Sequence, residues 1–168
     1  MAGNEHKNLL DANRHNPKAF ETSLNCSFLG KDIGGGVADD DGDLSWGRVI
    51  ESFVLACSDE TTLLTTGTKV KFRMPYAFYV TAVRASLSTA ATGGTLLTVD
   101  INDGGTTILS TKITIDASET TSTTAATAPV ISDNDLADDA EISIDIDAIG
   151  STNAGKGLKV AIIGFRTF

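Results

Sequence analysis

The sequence predicts an all-β fold: an antiparallel β-sandwich, jelly-roll-like, behind an extended N-terminal arm. Three observations predict it. Of 22 threonines, 21 lie after residue 60, and threonine is β-branched and suits a half-buried pleated surface. Three segments alternate apolar and polar residues with period two, the pattern of a sheet with one dry face. Short apolar segments also recur at roughly 8–12-residue spacing between turn residues, as in a sandwich or barrel. At 168 residues the chain has the length of about one domain and buries a real core without needing a disulfide or structural metal.

The arm comes first, at residues 1–47. His6, Lys7, Asn8, Asp11, Asn13, Arg14, His15, Asn16, Pro17 and Lys18 crowd its start, with few apolar residues among them. A short helical turn fits 9–14, and Pro17 biases Asn16 away from the helical region and stops it. Ile33-Gly34-Gly35-Gly36 followed by Asp39-Asp40-Asp41-Gly42-Asp43 reads as a loop. This segment has too little apolar surface to order itself alone, so it reads as an arm that orders against a partner.

The module follows at 48–168. Its strand candidates are 49–57, 63–65, 69–74, 78–87, 96–101, 107–115, 122–126, 141–147 and 158–165. Leu97, Val99 and Ile101 are expected inside, with Thr98, Asp100 and Asn102 facing water. Leu109, Thr111, Ile113 and Ile115 alternate with Ser110, Lys112 and Thr114, and Ile142, Ile144 and Ile146 with Glu141, Ser143, Asp145 and Asp147. Asn102-Asp103-Gly104-Gly105 signals a hairpin. Further turns fall at Ala91-Thr92-Gly93-Gly94 and Asn153-Ala154-Gly155-Lys156-Gly157.

The net charge of −9, from 13 basic and 22 acidic residues, argues against nucleic-acid binding, which needs clustered Lys and Arg. No apolar run approaches the ~20 residues that span a bilayer, and the N-terminus has no apolar signal core, so no membrane is expected. The charge is segregated. Residues 69–84 carry Lys69, Lys71, Arg73 and Arg84 and no acid, whereas 100–147 carry eleven acids and only Lys112. Such surfaces either pair head-to-tail around a symmetric ring or are simply solvated strand faces.

No catalytic set is legible. The two histidines, His6 and His15, lie in the arm, which offers no rigid scaffold for a nucleophile and base. Nucleophile-elbow, phosphate-loop and zinc-protease motifs are absent. Asp100 with Asp145, or Asp103 with Glu141, are carboxylate pairs of a kind that cleaves glycosidic bonds, but acids are too abundant here for the pairing to carry weight. Asp39, Asp41 and Asp43 fail the calcium-loop spacing, because the position that needs a bidentate glutamate is Ile50. Asp133, Asp135, Asp138 and Asp139 read as a solvated loop. No cofactor or metal is expected, and Cys26 and Cys57 are expected as free thiols in a reducing cytosol. Leu44 and Trp46 stand where arm meets module, as an anchor or an interface contact. Phe72-Arg73-Met74-Pro75-Tyr76-Ala77-Phe78 concentrates aromatics beside a proline, which belongs at a strand end. With Arg84, Phe72, Arg73 and Tyr76 form a candidate subunit interface.

Those residues also carry a resemblance. Phe72-Arg73-Met74-Pro75-Tyr76-Ala77-Phe78, Val83-Arg84-Ala85-Ser86-Leu87, Val99-Asp100-Ile101-Asn102, Ile108-Leu109-Ser110-Thr111-Lys112, Leu136-Ala137-Asp138-Asp139-Ala140-Glu141-Ile142, Ile144-Asp145-Ile146-Asp147 and Ala154-Gly155-Lys156-Gly157-Leu158-Lys159-Val160 resemble segments of structural proteins of tailed-bacteriophage virions. The similar modules occur in head fibres, capsid decorations and tail-associated fibres, and the likeness covers about residues 68–164. Glu5-His6-Lys7-Asn8-Leu9 and His15-Asn16-Pro17-Lys18 resemble the N-terminal tag of such proteins, with Ala19 where glycine is usual. Asp43-Leu44-Ser45-Trp46 resembles the usual join between tag and module.

The resemblance implies a non-enzymatic virion protein of the capsid surface, made in the host cytoplasm. It is expected to anchor to the major capsid protein, or other virion proteins, through His6, Lys7, Asn8, Leu9, His15, Pro17 and Lys18. It would display the sandwich as a homotrimer, so that three weak arms act with high effective concentration. The alternative is a tail or collar fibre adaptor, or a receptor-binding protein for host-surface glycan. The aromatic residues a sugar site favours are few: Trp46, Tyr76, Tyr79 and seven phenylalanines.

Overall fold

A computed structural model describes residues 49–167. The expected arm at 1–47, the helical turn at 9–14, the loop at 33–43, Cys26, the junction residues Leu44 and Trp46, and the attachment residues His6, Lys7, Asn8, Leu9, His15, Pro17 and Lys18 lie outside the described residues.

The described residues form an all-β, antiparallel sandwich. Its strands are β1 (Glu51–Ala56), β2 (Gly67–Arg73), β3 (Phe78–Ser86), β4 (Leu97–Asp103), β5 (Thr106–Thr107), β6 (Leu109–Thr111), β7 (Ile113–Ile115), β8 (Val130–Ile131), β9 (Asp135–Leu136), β10 (Glu141–Ala148) and β11 (Lys159–Arg166). One sheet has the order β1-β11-β3-β9, the other β2-β10-β4-β5 with β7 also against β4, and β6 pairs β8 in a small ribbon. The chain crosses between the sheets at each step from β1 to β4 and again from β9 to β11, which is the jelly-roll-like alternation. β10 and β11 each occupy the interior of one sheet, between strands made much earlier in the chain.

The period-two pattern places the core. Leu97, Val99 and Ile101 of β4 and Ile142, Ile144 and Ile146 of β10 are at most 1% exposed. Phe78, Val80, Val160 and Ile162 are also fully buried, in the same apolar cluster. The expected hairpin forms between β4 and β5, with Gly104 and Gly105 at φ 55° and 88°, values glycine adopts without steric cost. Gly164 is required for a different reason. The β11–β3 register shifts between Ile163 and Gly164, leaving Thr81 as the extra residue of β3, a β-bulge. A Cβ on Gly164 would lie 1.9 Å from the Tyr79 carbonyl oxygen and 2.8 Å from the Phe78 ring.

Four expectations are corrected. Segment 63–65 is a loop, because the Asp59 carboxylate accepts the Thr61 and Thr62 N–H groups at 2.7 and 2.6 Å and turns the chain. Leu64 then plugs the core at 3% exposure. Segment 122–126 holds a 3-10 turn, Ser122–Thr124, capped by the Thr121 side chain. Segment 107–115 is broken into β5, β6 and β7, which pair in turn with β4, β8 and β4. Finally, Asp100 and Asn102 do not face water: they are 4% and 8% exposed. Thr107 and Lys112, flanking the break, close on Asp100, and Asp145 lies against Asn102.

Candidate functional site

Three groups of side chains on this scaffold merit comparison. The first is polar. Asp100 and Asp145 are direct partners across β4 and β10. The Asp100 carboxylate accepts the Thr107 hydroxyl at 2.5 Å, the Ile101 N–H at 2.9 Å and Lys112 at 2.9 Å. Lys112 also reaches Asp147 at 2.5 Å, and the Asp147 and Asp100 bonds push its pKa up to about 12. Asp145 Oδ2 accepts Asn102 at 2.6 Å and Ser143 at 3.3 Å, while its Oδ1 is buried without a partner. These carboxylates are engaged in joining strands. Among the described residues, no three His, Cys, Asp or Glu side chains are grouped to hold a metal. Cys57 is buried, and desolvation pushes its thiol up to about 11.

The second group sits at one end of the sandwich. Tyr76 donates its hydroxyl to Glu51 at 2.8 Å, and Glu51 also accepts Arg166 Nε at 2.9 Å. The Arg166 guanidinium lies 3.9 Å from the Tyr76 ring centroid, a cation–π contact. Phe53 meets Tyr76 and Phe78 at 5.9 and 5.1 Å. The Tyr76 bond, followed by the Arg166 bond against a desolvation cost, holds the Glu51 carboxyl below its usual range. This cluster stitches the start of β1 to the end of β11.

The third group is the outer face of the β1-β11-β3-β9 sheet. Register places its side chains in rows: Ala56, Lys159 and Ser86; Val54, Ala161 and Arg84; Ser52, Ile163 and Ala82; and Phe165, Tyr79 and Asp135. Tyr79 and Phe165 stack at 5.1 Å and 14°. Small Ala161 between Val54 and Arg84 leaves an open groove of about 440 Å³, walled on one side by Thr121 and Thr123. Val54 is 67% exposed. Arg84 is exposed and forms no ion pair among the described residues.

The candidate interface residues are not brought together. Phe72 packs against the core, Arg73 pairs with Asp139 and Glu141 at the β2 edge, Tyr76 belongs to the end cluster, and Arg84 alone stands on the outer face. The segregated charges also meet within the chain. Because β2 lies beside β10, Lys71 and Arg73 pair with Glu141, so the basic and acidic stretches do not form two separate surfaces. Val54, Ala161, Ile163, Tyr79 and Phe165 were not singled out by motif. Their signal is in β11, where Ala161, Ile163 and Phe165 are as apolar as the inward Val160 and Ile162. A strand apolar at both sets of alternate positions reads as one covered on both faces.

Comparison of the chain with protein families, curated proteins and solved structures gives no match.

Proposed function

We propose that the chain is a non-enzymatic structural protein of a tailed-phage virion, a capsid decoration or head-fibre protein. Residues 1–47 anchor it to the major capsid protein, and the β-sandwich is displayed outward as a multimer, expected to be a homotrimer. The observation that carries the reading is a β-sandwich whose buried Asp100 and neighbouring Asp145 join strands to one another, while the outer face of one sheet presents exposed Val54 and Arg84 beside half-buried Ala161 and Ile163. The resemblance of segments 72–78, 99–102, 136–142 and 154–160 to virion proteins supports the same reading. The large hydrophobic residues most exposed among the described residues are Val49, Ile50, Val54, Leu63, Leu96 and Val130. All are aliphatic, which favours packing against protein over stacking on a sugar.

Deleting residues 1–18 tests the attachment. The truncated protein is expected to stay folded and to lose co-sedimentation with particles; continued decoration of particles refutes the anchoring role. Counting copies per virion separates the locations. Hundreds of copies support the capsid surface, and a dozen or fewer refute it in favour of a tail or collar fibre.

A further inference from the structure

We infer that the outer face of the β1-β11-β3-β9 sheet is where a second copy of this chain packs, with Arg84 of each copy set against the Asp135 end of the other. The inference rests on the self-associating reading above and departs from it in stoichiometry: a two-fold contact through this face makes pairs of chains, not the homotrimer expected there.

The two long exposed sheet edges differ in how they are protected. β2, Gly67-Thr68-Lys69-Val70-Lys71-Phe72-Arg73, carries three cations, the usual guard against edge pairing. β1, Glu51-Ser52-Phe53-Val54-Leu55-Ala56, has no charge after Glu51, and no described strand pairs with its free side. From that unguarded edge inward an apolar path runs through exposed Val54 and half-buried Ala161, Ile163 and Ala82 to the stack of Tyr79 on buried Phe165, with Ser52 beside Ile163, and with Ser86 and Lys159, which pairs with Glu60, in the row beyond Arg84. Unlike the opposite sheet, whose outer face carries Lys71, Glu141, Ser143, Asp145 and Asp100, this face has the composition of a surface that is covered.

Charge identifies the occupant. Arg84 stands toward one end of the face and Asp135 at the other, five positions apart along β3 because Asp135 is the cross-strand partner of Tyr79. Because Thr81 is the bulged residue, the rows are four positions apart along β11, from Ala161 to Phe165, about 13 Å at 3.2–3.4 Å per residue, too far for an ion pair within the chain. Asp133, Asp135 and Asp138 around β9 make no ion pair among the described residues. A face that is positive at one end, apolar in the middle and negative at the other complements a second copy of itself turned end for end. In such a contact residue i meets j and j meets i. A generic basic or acidic partner would satisfy only one end.

The test uses the full chain, with mass measured by light scattering during size exclusion. Wild type is expected above the mass of one chain. Val54→Glu, at a site 67% exposed in the isolated module, is expected to give single chains with unchanged circular dichroism and melting. Arg84→Asp is expected to weaken association at least tenfold, and Arg84→Asp combined with Asp135→Arg to restore it. Lys71→Glu, on the guarded edge, is expected to leave the mass unchanged. A multimer that survives both Val54→Glu and Arg84→Asp overturns the face assignment, as does a charge swap that restores nothing. A wild type that runs as single chains overturns the inference outright. Particle binding through residues 1–47 is measured separately, so this failure is distinguishable from failure of the virion reading.

Discussion

Replacing Asp100 by alanine removes the side chain that ties the broken strand at 107–115 to β4. The carboxylate is 6% exposed and accepts bonds from Thr107, the Ile101 N–H and Lys112. Hydrogen bonds to a charged group are each worth about 1.5–3 kcal/mol, and breaking a buried pair costs about 3–5 kcal/mol when the survivor is stranded. Lys112 is not stranded, since it is 40% exposed and keeps Asp147. Thr107 likewise keeps the Leu109 carbonyl as a partner, so the expected loss is nearer one such bond than three, about 2–3 kcal/mol, with roughly 1 kcal/mol of it coupled to Lys112 after allowing for solvent screening. For a domain of this size that lowers the melting temperature by about 8–15 °C. Urea melts of wild type, Asp100→Ala, Lys112→Met and the double variant measure both quantities. A loss within the ~0.5 kcal/mol of an ordinary surface substitution, or additive single effects, refutes the clamp. The pH dependence has a definite sign. The Lys112 pKa is raised, to about 12, so its contribution is whole below the ordinary lysine value and is lost as pH rises through about 12. Lys112→Met should remove that alkaline component.

Other outcomes follow from single contacts. Gly164→Ala drives a methyl group into the Tyr79 carbonyl, which is backbone and cannot swing aside. It should cost at least about 2 kcal/mol in a denaturant melt; a neutral result refutes the close approach at the bulge. Cys57 combines burial with a thiol pushed up to about 11. In a Cys26→Ala background it should resist a disulfide reagent at pH 8 until the protein is unfolded, and rapid labelling of the folded protein would refute its burial.

Alternation in the sequence made β4 and β10 legible because their inward isoleucines, valines and leucine repeat without interruption. It could not show that Asp100 and Asn102 are covered. Period two tells which side chains point away from the core, but Thr107 and Lys112 reach Asp100 only because the strand breaks between them. Segment 63–65 looked like a strand by composition, and one acceptor four residues earlier, Asp59, overrode it. The charge segregation along the chain does not persist on the folded surface, for a topological reason. Residues 69–73 and 141–145 are remote in sequence yet adjacent in register, and periodicity carries no strand order. Of the candidate site, Arg84 was legible as an exposed cation. The apolar rows beside it were written in β11, whose two faces are equally apolar.

The places of β10 and β11 at the sheet interiors set a schedule for synthesis. β1 and β3 have no partner in common until β11 exists, and β2 meets β4 only through β10. On a ribosome adding about 5–20 residues per second, the unguarded β1 therefore waits roughly 5–20 s before residue 166 is made. During that interval its apolar side chains are exposed in a nascent chain that cannot close. Neighbouring ribosomes on one message would hold several such segments close together. Association through this face before β11 is made is thus a hazard of manufacture, and the yield of folded chain should rise when translation is slowed or temperature lowered.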